Sequence, residues 1–292
     1  MISLAKTRDA FTQLGLLLKG RILMDTTKKA WINGLFFVVT LAVNSLGATG
    51  LINGLSQKQI SDMYVTLITP SPSTFSIWSV IYILLLISVI VMIVKKNDAY
   101  YQSAVDQISV LFRISSILNI AWIVTFSFVQ IELSVLFILG FVITLSLICR
   151  KLVAIQERRR WLLPLCFGMY TGWLFIATVV NIAAALVKLE WNGFGIENDI
   201  WAIIILIISV FLIILVLLTI RNAAFPLPVS WAYLGIYQYL KAPEGFKGEF
   251  GLLQITALAG MAVLIGVAAI QLYRNHFSLL PGPADKQKKN VS

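Results

Sequence analysis

Long apolar runs recur along almost the whole chain and constrain its fold more than any other feature. A helix needs about 20 apolar residues to cross the hydrocarbon core of a bilayer. Eight such runs can be drawn here, at 31–54, 74–94, 111–130, 133–150, 162–187, 200–220, 223–240 and 251–273. A transmembrane β-barrel would instead show short segments of alternating polarity. The sequence therefore predicts an all-α polytopic membrane protein.

Composition and charge agree with this class. Hydrophobic residues make up 59% and charged residues 12% of the chain, whereas a soluble domain carries about a quarter charged residues. The formal net charge of +10 is spread between the apolar runs rather than gathered into one patch. That distribution is typical of membrane topology and of attraction to anionic headgroups. We expect a lipid bilayer as partner and no nucleic acid.

The basic residues also predict the orientation of the chain. In an eight-helix arrangement, 19 Lys and Arg residues fall on one side and four on the other. The positive-inside rule then places both termini in the cytoplasm, for a multi-pass protein of the plasma (inner) membrane. A seven-helix arrangement would put the C-terminal tail outside and break this asymmetry. The segment 223–240 is the weakest of the eight, although its early prolines fit a first helical turn.

Both ends of the chain differ from the middle. Residues 1–30 are predicted to form a cytoplasmic segment, either an amphipathic helix on the inner surface or a frayed tail. Residues 274–292 are predicted to form a disordered cytoplasmic tail, because they cannot build a core.

The predicted spans lack ionisable residues away from their ends. Proton-coupled transporters and pumps need such groups at depth, and an intramembrane hydrolase needs a base. The single histidine, His276, excludes a histidine-based metal cluster, and Cys149 and Cys166 read as packed thiols. We therefore predict no catalytic residues, no metal site and no enzymatic activity.

Neutral polar and aromatic residues remain inside the spans. Asn119 and Trp122 are three residues apart and share a helical face, while Trp173, Ala177 and Asn181 form one stripe at i, i+4 spacing. Such residues often serve only helix packing. An aromatic wall, a small residue and a polar anchor in register instead indicate a pocket for a flat hydrophobic ligand.

Glycines cluster at the end of the first predicted span. Gly47, Gly50 and Gly54 fit the small-xxx-small pattern that lets helices approach closely. Helix packing is the predicted role of this face, and a homodimer through it is plausible.

Three motifs together resemble a known family. They are "YVTLITPSPSTFSIWSVIY" (64–82), "LNIAWIVTFSF" (118–128) and "MYTGWLFIATVVN" (169–181). In this order they look like the core of the TspO/MBR family, which comprises the tryptophan-rich sensory proteins and the mitochondrial translocator protein. The resemblance covers about residues 31–187, implying a five-helix bundle. Residues 188–273 resemble the three additional transmembrane helices of longer bacterial members.

The resemblance implies a pocket capped by the first loop, with porphyrins or haem-related tetrapyrroles as ligands and no obligatory cofactor. The implied ligand-binding residues are Trp78, Tyr82, Asn119, Trp122, Trp173, Ala177 and Asn181, with Pro70 and Pro72 in the capping loop. Because no cation lies at depth in the predicted spans, porphyrin carboxylates would have to point to a bilayer surface. Some members bind sterols, but the run "NIAAALVK" lacks the tyrosine of the sterol motif. Sterol binding is therefore not predicted.

The leading hypothesis is a membrane protein that binds a planar hydrophobic ligand, a tetrapyrrole above all, for sensing, sequestration or transfer. The resemblance also implies a secondary hypothesis, slow light-dependent porphyrin degradation with the indoles as redox groups. One alternative is a transporter of an uncharged solute, which would show an internal repeat; the first-half motifs have no counterpart after residue 200. Another is a membrane scaffold or interaction protein without a ligand.

Overall fold

The computed structural model describes residues 2–157 and 160–282, with side chains from residue 25 onward. Within these residues the regular structure is entirely helical. The α-helices are α1 (Ile2–Ala48), α2 (Gln57–Met63), α3 (Ile77–Val94), α4 (Ala99–Ser127), α5 (Ile131–Ile155), α6 (Leu162–Lys188), α7 (Asn198–Ile220), α8 (Pro226–Lys241) and α9 (Gly251–Arg274). Two 3₁₀ turns, Pro72–Ser76 and Gly193–Gly195, precede α3 and α7.

Every predicted apolar segment corresponds to a helix, and seven described helices are long and apolar enough to cross a membrane. This confirms a polytopic all-α membrane protein. The eighth segment is α8, which has only 16 residues and begins with Pro226 at its first turn. At 1.5 Å per residue α8 is about 24 Å long, which is shorter than the bilayer core of about 30 Å.

Helix α1 differs from its prediction at both ends. Its backbone is helical from Ile2, whereas the predicted span begins at residue 31; the cytoplasmic placement of residues 1–30 stays a prediction. It ends at Ala48, and Gly50 and Gly54 follow in turns with φ of 79° and 78°. These two glycines supply left-handed backbone rather than a packing face, so the small-xxx-small prediction is wrong for them. Gly47 alone packs closely, against α4 and α2.

Helix α4 begins at Ala99, well before the predicted residue 111, because Asp98 caps it by accepting hydrogen bonds from two backbone N–H groups of its first turn. The longer helix carries Asp106 and Arg113 inside its bounds. Asp106 pairs with Lys29 of α1 at 3.0 Å, and Arg113 Nε donates to an α1 asparagine at 3.1 Å. The expectation of no ionisable side chain away from the span ends is therefore corrected: two such groups join α4 to α1.

One apolar core runs from α1, α3, α4, α5 and α6 into α7, α8 and α9, and α8 packs against both α6 and α9. Glycines on α6 allow the start of α8 to lie directly on it. A Cβ at Gly172 would stand 2.1 Å from the carbonyl oxygen of Phe225, and one at Gly168 would stand 2.6 Å from Asn222 Oδ1. The assignment of 31–187 and 188–273 to separate units remains a prediction.

The segment after α9 folds back onto the connection between α7 and α8. Asn275 Nδ2 donates to the backbone oxygens of Arg221 and Leu279, and the N–H of Ala223 donates to Leu279. This part of the predicted tail is packed, with Leu280 buried, while residues 283–292 lie outside the described residues. The start of α8 and the end of α9 thus share one end of the bundle, and α8 runs antiparallel to α9.

Candidate ligand-binding site

A cavity of about 390 Å³ lies among α1, α2, α3, α4, α6 and α8, with the first residue of α5, Ile131, also in its lining. Its volume falls within the range of small-molecule pockets, about 300–1,000 Å³. Its lining is largely apolar and aromatic, with a smaller set of polar groups on α2. The cavity lies where the sequence motifs predicted a pocket.

Aromatic side chains cluster around Trp78 at the start of α3. The Trp78 ring stacks on Tyr82 at 5.4 Å and lies 6.2 Å from Trp122 of α4. Trp173 of α6 meets Trp78 edge to face at 6.1 Å, and Phe75 meets Trp173 in the same way and at the same distance. These centroid distances are those of favourable aromatic pairs. The rings therefore hold one another in place and form a continuous aromatic wall.

Small side chains make up another part of the lining. Ala177 and Ala184 come from α6, Ala48 from α1 and Ala232 from α8, with Ile236 beside it. Ala177 lies one turn from Trp173 and leaves space next to the indole, as the i, i+4 stripe predicted. Aromatic rings beside short side chains suit a flat ligand.

Helix α2 brings polar groups to the cavity. Gln57, Lys58 and Ser61 line it, as does Tyr64 directly after the helix. The helix is set by a capping box, in which Ser56 Oγ accepts from the N–H of Gln59 while the Gln59 side chain accepts from Ser56. Lys58 is exposed and pairs with Asp62 one turn on. A cationic, polar side of the cavity thus lies next to its aromatic wall.

Asn119 is fully buried but does not line the cavity. Its Oδ1 accepts from Asn44 Nδ2 at 2.8 Å, and its Nδ2 donates to the Tyr170 hydroxyl at 2.8 Å. The side chain therefore ties α4 to α1 and α6. The structure does not bring this predicted ligand contact to the pocket.

Asn181 lines the cavity, yet its amide is already engaged. Its Oδ1 accepts from Trp122 Nε1 at 3.0 Å, and its Nδ2 donates to Ser134 Oγ at 3.0 Å. These bonds join α6 to α4 and α5. Asn181 therefore holds the Trp122 ring in place at the cavity.

Three buried polar groups at the cavity have no hydrogen-bond partner among the described residues. They are Nε1 of Trp173, whose side chain is 3% exposed, Nε2 of Gln57 and the hydroxyl of Tyr82. A buried N–H without an acceptor costs about 1–3 kcal/mol. A ligand that brings an acceptor to either nitrogen would recover that free energy.

The segment before α3 caps the cavity on one side. Pro70 lines it, whereas Pro72 begins the 3₁₀ turn and does not. The turn runs directly into α3, so the cap and Trp78 are almost contiguous. Six of the seven predicted contact residues and one of the two predicted cap prolines line the cavity.

Sequence reasoning missed the contributions of α2 and α8. The run "SQKQ" at 56–59 carries a readable capping-box signal for α2. Ala232 and Ile236 of α8 carry no comparable signal, because their place depends on how α8 packs on α6.

A family model described as TSPO-like protein matches residues 30–270, which includes most of the described chain. The chain belongs to the TSPO-like family. The match extends beyond the five-helix region through α7 and α8 and into α9. No curated protein and no solved structure matches the chain.

Family membership and the membrane-spanning helices make this TSPO-like chain a membrane protein in contact with the bilayer. Within residues 2–157 and 160–282, no cluster of His, Cys, Asp and Glu side chains is arranged to hold a metal ion. The cavity lined by Trp78, Trp122 and Trp173 is the candidate ligand-binding site.

Proposed function

We propose that this TSPO-like protein binds a planar hydrophobic ligand of the tetrapyrrole class, for sensing, sequestration or transfer and without converting it chemically. The observation that carries the proposal is one cavity lined by Trp78, Trp122 and Trp173, with the indole N–H of Trp173 unpartnered. A flat macrocycle can bury its face against such rings. A ring nitrogen, carbonyl or carboxylate of the ligand can accept from the free indole.

The polar side of the cavity favours a ligand with an acidic edge. Lys58 offers an ammonium group and Gln57 an unpartnered amide N–H, both on α2. Lys58 has three donors, of which Asp62 needs one. A tetrapyrrole carboxylate at this edge would add a charge-assisted hydrogen bond, while the macrocycle stays in the apolar part.

We further propose a plasma (inner) membrane location with both termini in the cytoplasm. The division of 19 basic residues against four supports this orientation. The connection from α1 to α3, which contains α2, would then face the non-cytoplasmic side. Ligand would reach the polar edge of the cavity from that side.

Binding is tested by titrating the detergent-purified protein with protoporphyrin IX and following tryptophan fluorescence. The variant Ala177→Phe fills the space beside Trp173, so we expect at least tenfold weaker binding. Ala262→Phe places the same ring on an exposed site of α9 and serves as the control. Saturable quenching that both variants retain equally would reject the cavity as the site. Quenching that never saturates would reject the proposal and leave the transporter and scaffold alternatives.

The acidic edge is tested by comparing protoporphyrin IX with its dimethyl ester. Lys58→Met should weaken binding of the free acid about fivefold or more and leave the ester unchanged, because the ester has no charge to pair. Lys247→Met, which removes another exposed cation from the same predicted side, is the control. Equal effects of Lys58→Met on acid and ester would refute the carboxylate contact.

A further inference from the structure

The segment that caps the cavity, residues 69–76, is bonded to α8 rather than to a helix of the five-helix region. Ser71 donates its backbone N–H to the oxygen of Gly235 at 3.0 Å and its hydroxyl to Gln238 Oε1 at 3.1 Å. Trp231 Nε1 donates to the oxygen of Thr74 at 2.9 Å. Residues 231, 235 and 238 follow one another at i, i+4 and i+7, so a single face of α8 makes all three bonds.

Gly235 lets the two elements approach closely. A Cβ at this position would lie 1.9 Å from Thr74 Oγ1, 2.8 Å from its Cγ2 and 2.9 Å from its Cβ. Rotation of the threonine side chain would move Oγ1 and Cγ2 but not Cβ. Any side chain at residue 235 therefore has to push the capping segment away from α8.

The bonded segment also positions the aromatic wall. Phe75, next to Thr74, meets the Trp173 ring edge to face, and the 3₁₀ turn leads within two residues to Trp78. Helix α8 itself contributes Ala232 and Ile236 to the lining. A displacement of the cap at Gly235 would thus reach the ligand cavity directly.

The three bonds differ in how far protein covers them. Ser71 is buried, while Trp231 is 40% exposed and Gln238 is exposed. Trp231 and Gln238 thus hold the segment at the edge of the bundle, while the backbone of Ser71 holds it inside. The segment is therefore fixed to α8 at both a covered and an uncovered point.

We propose that α8 latches the capping segment and so controls access to the cavity, with Gly235 and Trp231 as positioning residues. This inference rests on the proposed binding function for its biological meaning. The latch itself can be tested without a ligand. It gives the helices after residue 187 a direct role at the site.

Access is measured by the rate at which a maleimide modifies Ala177→Cys, a thiol placed in the cavity lining. We expect Gly235→Ala to raise this rate at least fivefold, because it pushes Thr74 and the cap away. Gly266→Ala on α9, where an added Cβ meets nothing within 4 Å, is the control. Labelling of the protein without Ala177→Cys gives the background of Cys149 and Cys166, both buried.

A compensating change separates the latch from a general loss of packing. Thr74→Ala removes Oγ1 and Cγ2, two of the three atoms that an added Cβ at residue 235 would meet. In the Gly235→Ala background only the 2.9 Å contact with Cβ remains, so the labelling rate should return most of the way to that of the parent. A rate that stays high in the double variant would overturn steric displacement of Thr74 as the cause.

A second pair of less disruptive variants tests the latch if Gly235→Ala does not fold. Trp231→Phe removes the N–H donated to Thr74, together with part of the indole ring, and should raise the labelling rate about twofold or more. Trp201→Phe removes an indole bond to the Gly193 oxygen, away from the cavity, and should change nothing. Equal rates in Trp231→Phe, Trp201→Phe and the parent would overturn the latch.

Protoporphyrin dissociation rates then link the latch to binding. Faster labelling accompanied by several-fold faster ligand dissociation in Gly235→Ala supports both proposals. Faster labelling of a protein that does not bind protoporphyrin saturably would uphold the latch and reject the proposed ligand. Saturable binding with labelling rates that no variant alters would uphold the ligand site and reject the latch.

Discussion

The polar groups inside the bundle fall into two sets. In one set the side-chain amides are hydrogen-bonded to other helices, and in the other a buried donor has no partner among the described residues. The side-chain amides of Asn119 and Asn181 are hydrogen-bonded to neighbouring helices, through Tyr170 and Ser134 among others. Trp173, a few residues from Asn181 on α6, keeps a buried donor without a partner. Lipid offers no replacement for a lost hydrogen bond. The first set therefore determines how the helices pack, and the second is available to a ligand.

The largest expected effect comes from removing a side chain of the first, fully hydrogen-bonded set. Asn119→Leu leaves the Tyr170 hydroxyl and one donor of Asn44 without partners in a fully buried place, so we expect about 2 kcal/mol less unfolding free energy. Chemical unfolding in detergent, followed by circular dichroism, measures this loss. Asn53→Leu, which removes one 3.3 Å bond to Ser127 at an exposed position, should cost under about 0.5 kcal/mol. Equal losses in the two variants would contradict the assignment.

The intermediate effect separates the two sets by their readouts. Trp173→Phe and Trp122→Phe both shorten a buried indole to a phenyl ring, but only Trp122 loses a hydrogen bond, the one to Asn181. We therefore expect Trp122→Phe to lower the unfolding free energy by about 1 kcal/mol more than Trp173→Phe does. Loss of the unpartnered Trp173 N–H should lower protoporphyrin affinity about fivefold, the equivalent of one hydrogen bond of about 1 kcal/mol. The reverse pattern, with Trp173→Phe the more destabilising of the two, would show that the sets are wrongly divided.

The smallest effect is expected where water reaches the polar groups. Outside the spans, burial acts to raise the pKa of Asp98, but the hydrogen bond and charge of Arg160 and the N–H groups of Tyr100 and Tyr101 lower it further, to below its usual value. A depressed carboxyl pKa stabilises the folded state above the unfolded pKa, and this contribution is lost as the pH falls through the folded value.

Asp98→Asn should therefore cost about 0.5 kcal/mol near neutral pH, the size of a partly exposed ion pair, and nothing once Asp98 is protonated. Asparagine caps helices about as well as aspartate, so the variant isolates the charge. Unfolding free energies at about pH 7 and about pH 3 measure the change, with exposed Glu249→Gln as the control. A cost that does not shrink in acid would point to the cap rather than the ion pair.

The sequence predicted the helices well because crossing a bilayer is a local property. The length of an apolar run decides by itself whether a helix can cross the bilayer. The ends of α3, α6 and α9 accordingly agree with the predicted segments to within about four residues. The start of α4 was missed because a polar N-terminal part, which contains Asp106, lengthens the helix beyond its apolar run. Hydropathy cannot register such an extension.

The candidate site was predictable only in part. The stripe Trp173, Ala177 and Asn181 follows from helical spacing, and all three line the cavity. Asn119 shares a face with Trp122, yet a small rotation of α4 decides that one reaches the cavity and the other reaches Tyr170. Ala232 of α8 lies far along the chain and enters the lining only through tertiary packing. Spacing predicts which residues share a face, and helix tilt and rotation decide what that face meets.

The place of the cap on α8 has a consequence for the backbone of residues 69–76. The cap bonds to residues 231, 235 and 238, in the middle of a helix whose 16 residues span about 24 Å. Within a bilayer core, non-helical backbone is tolerated only where protein covers it or it borders a cavity. Residues 69–76 meet both conditions, since they rest on this face of α8 and border the pocket. The face of α8 therefore lets a loop, rather than a helix, close one side of the ligand chamber.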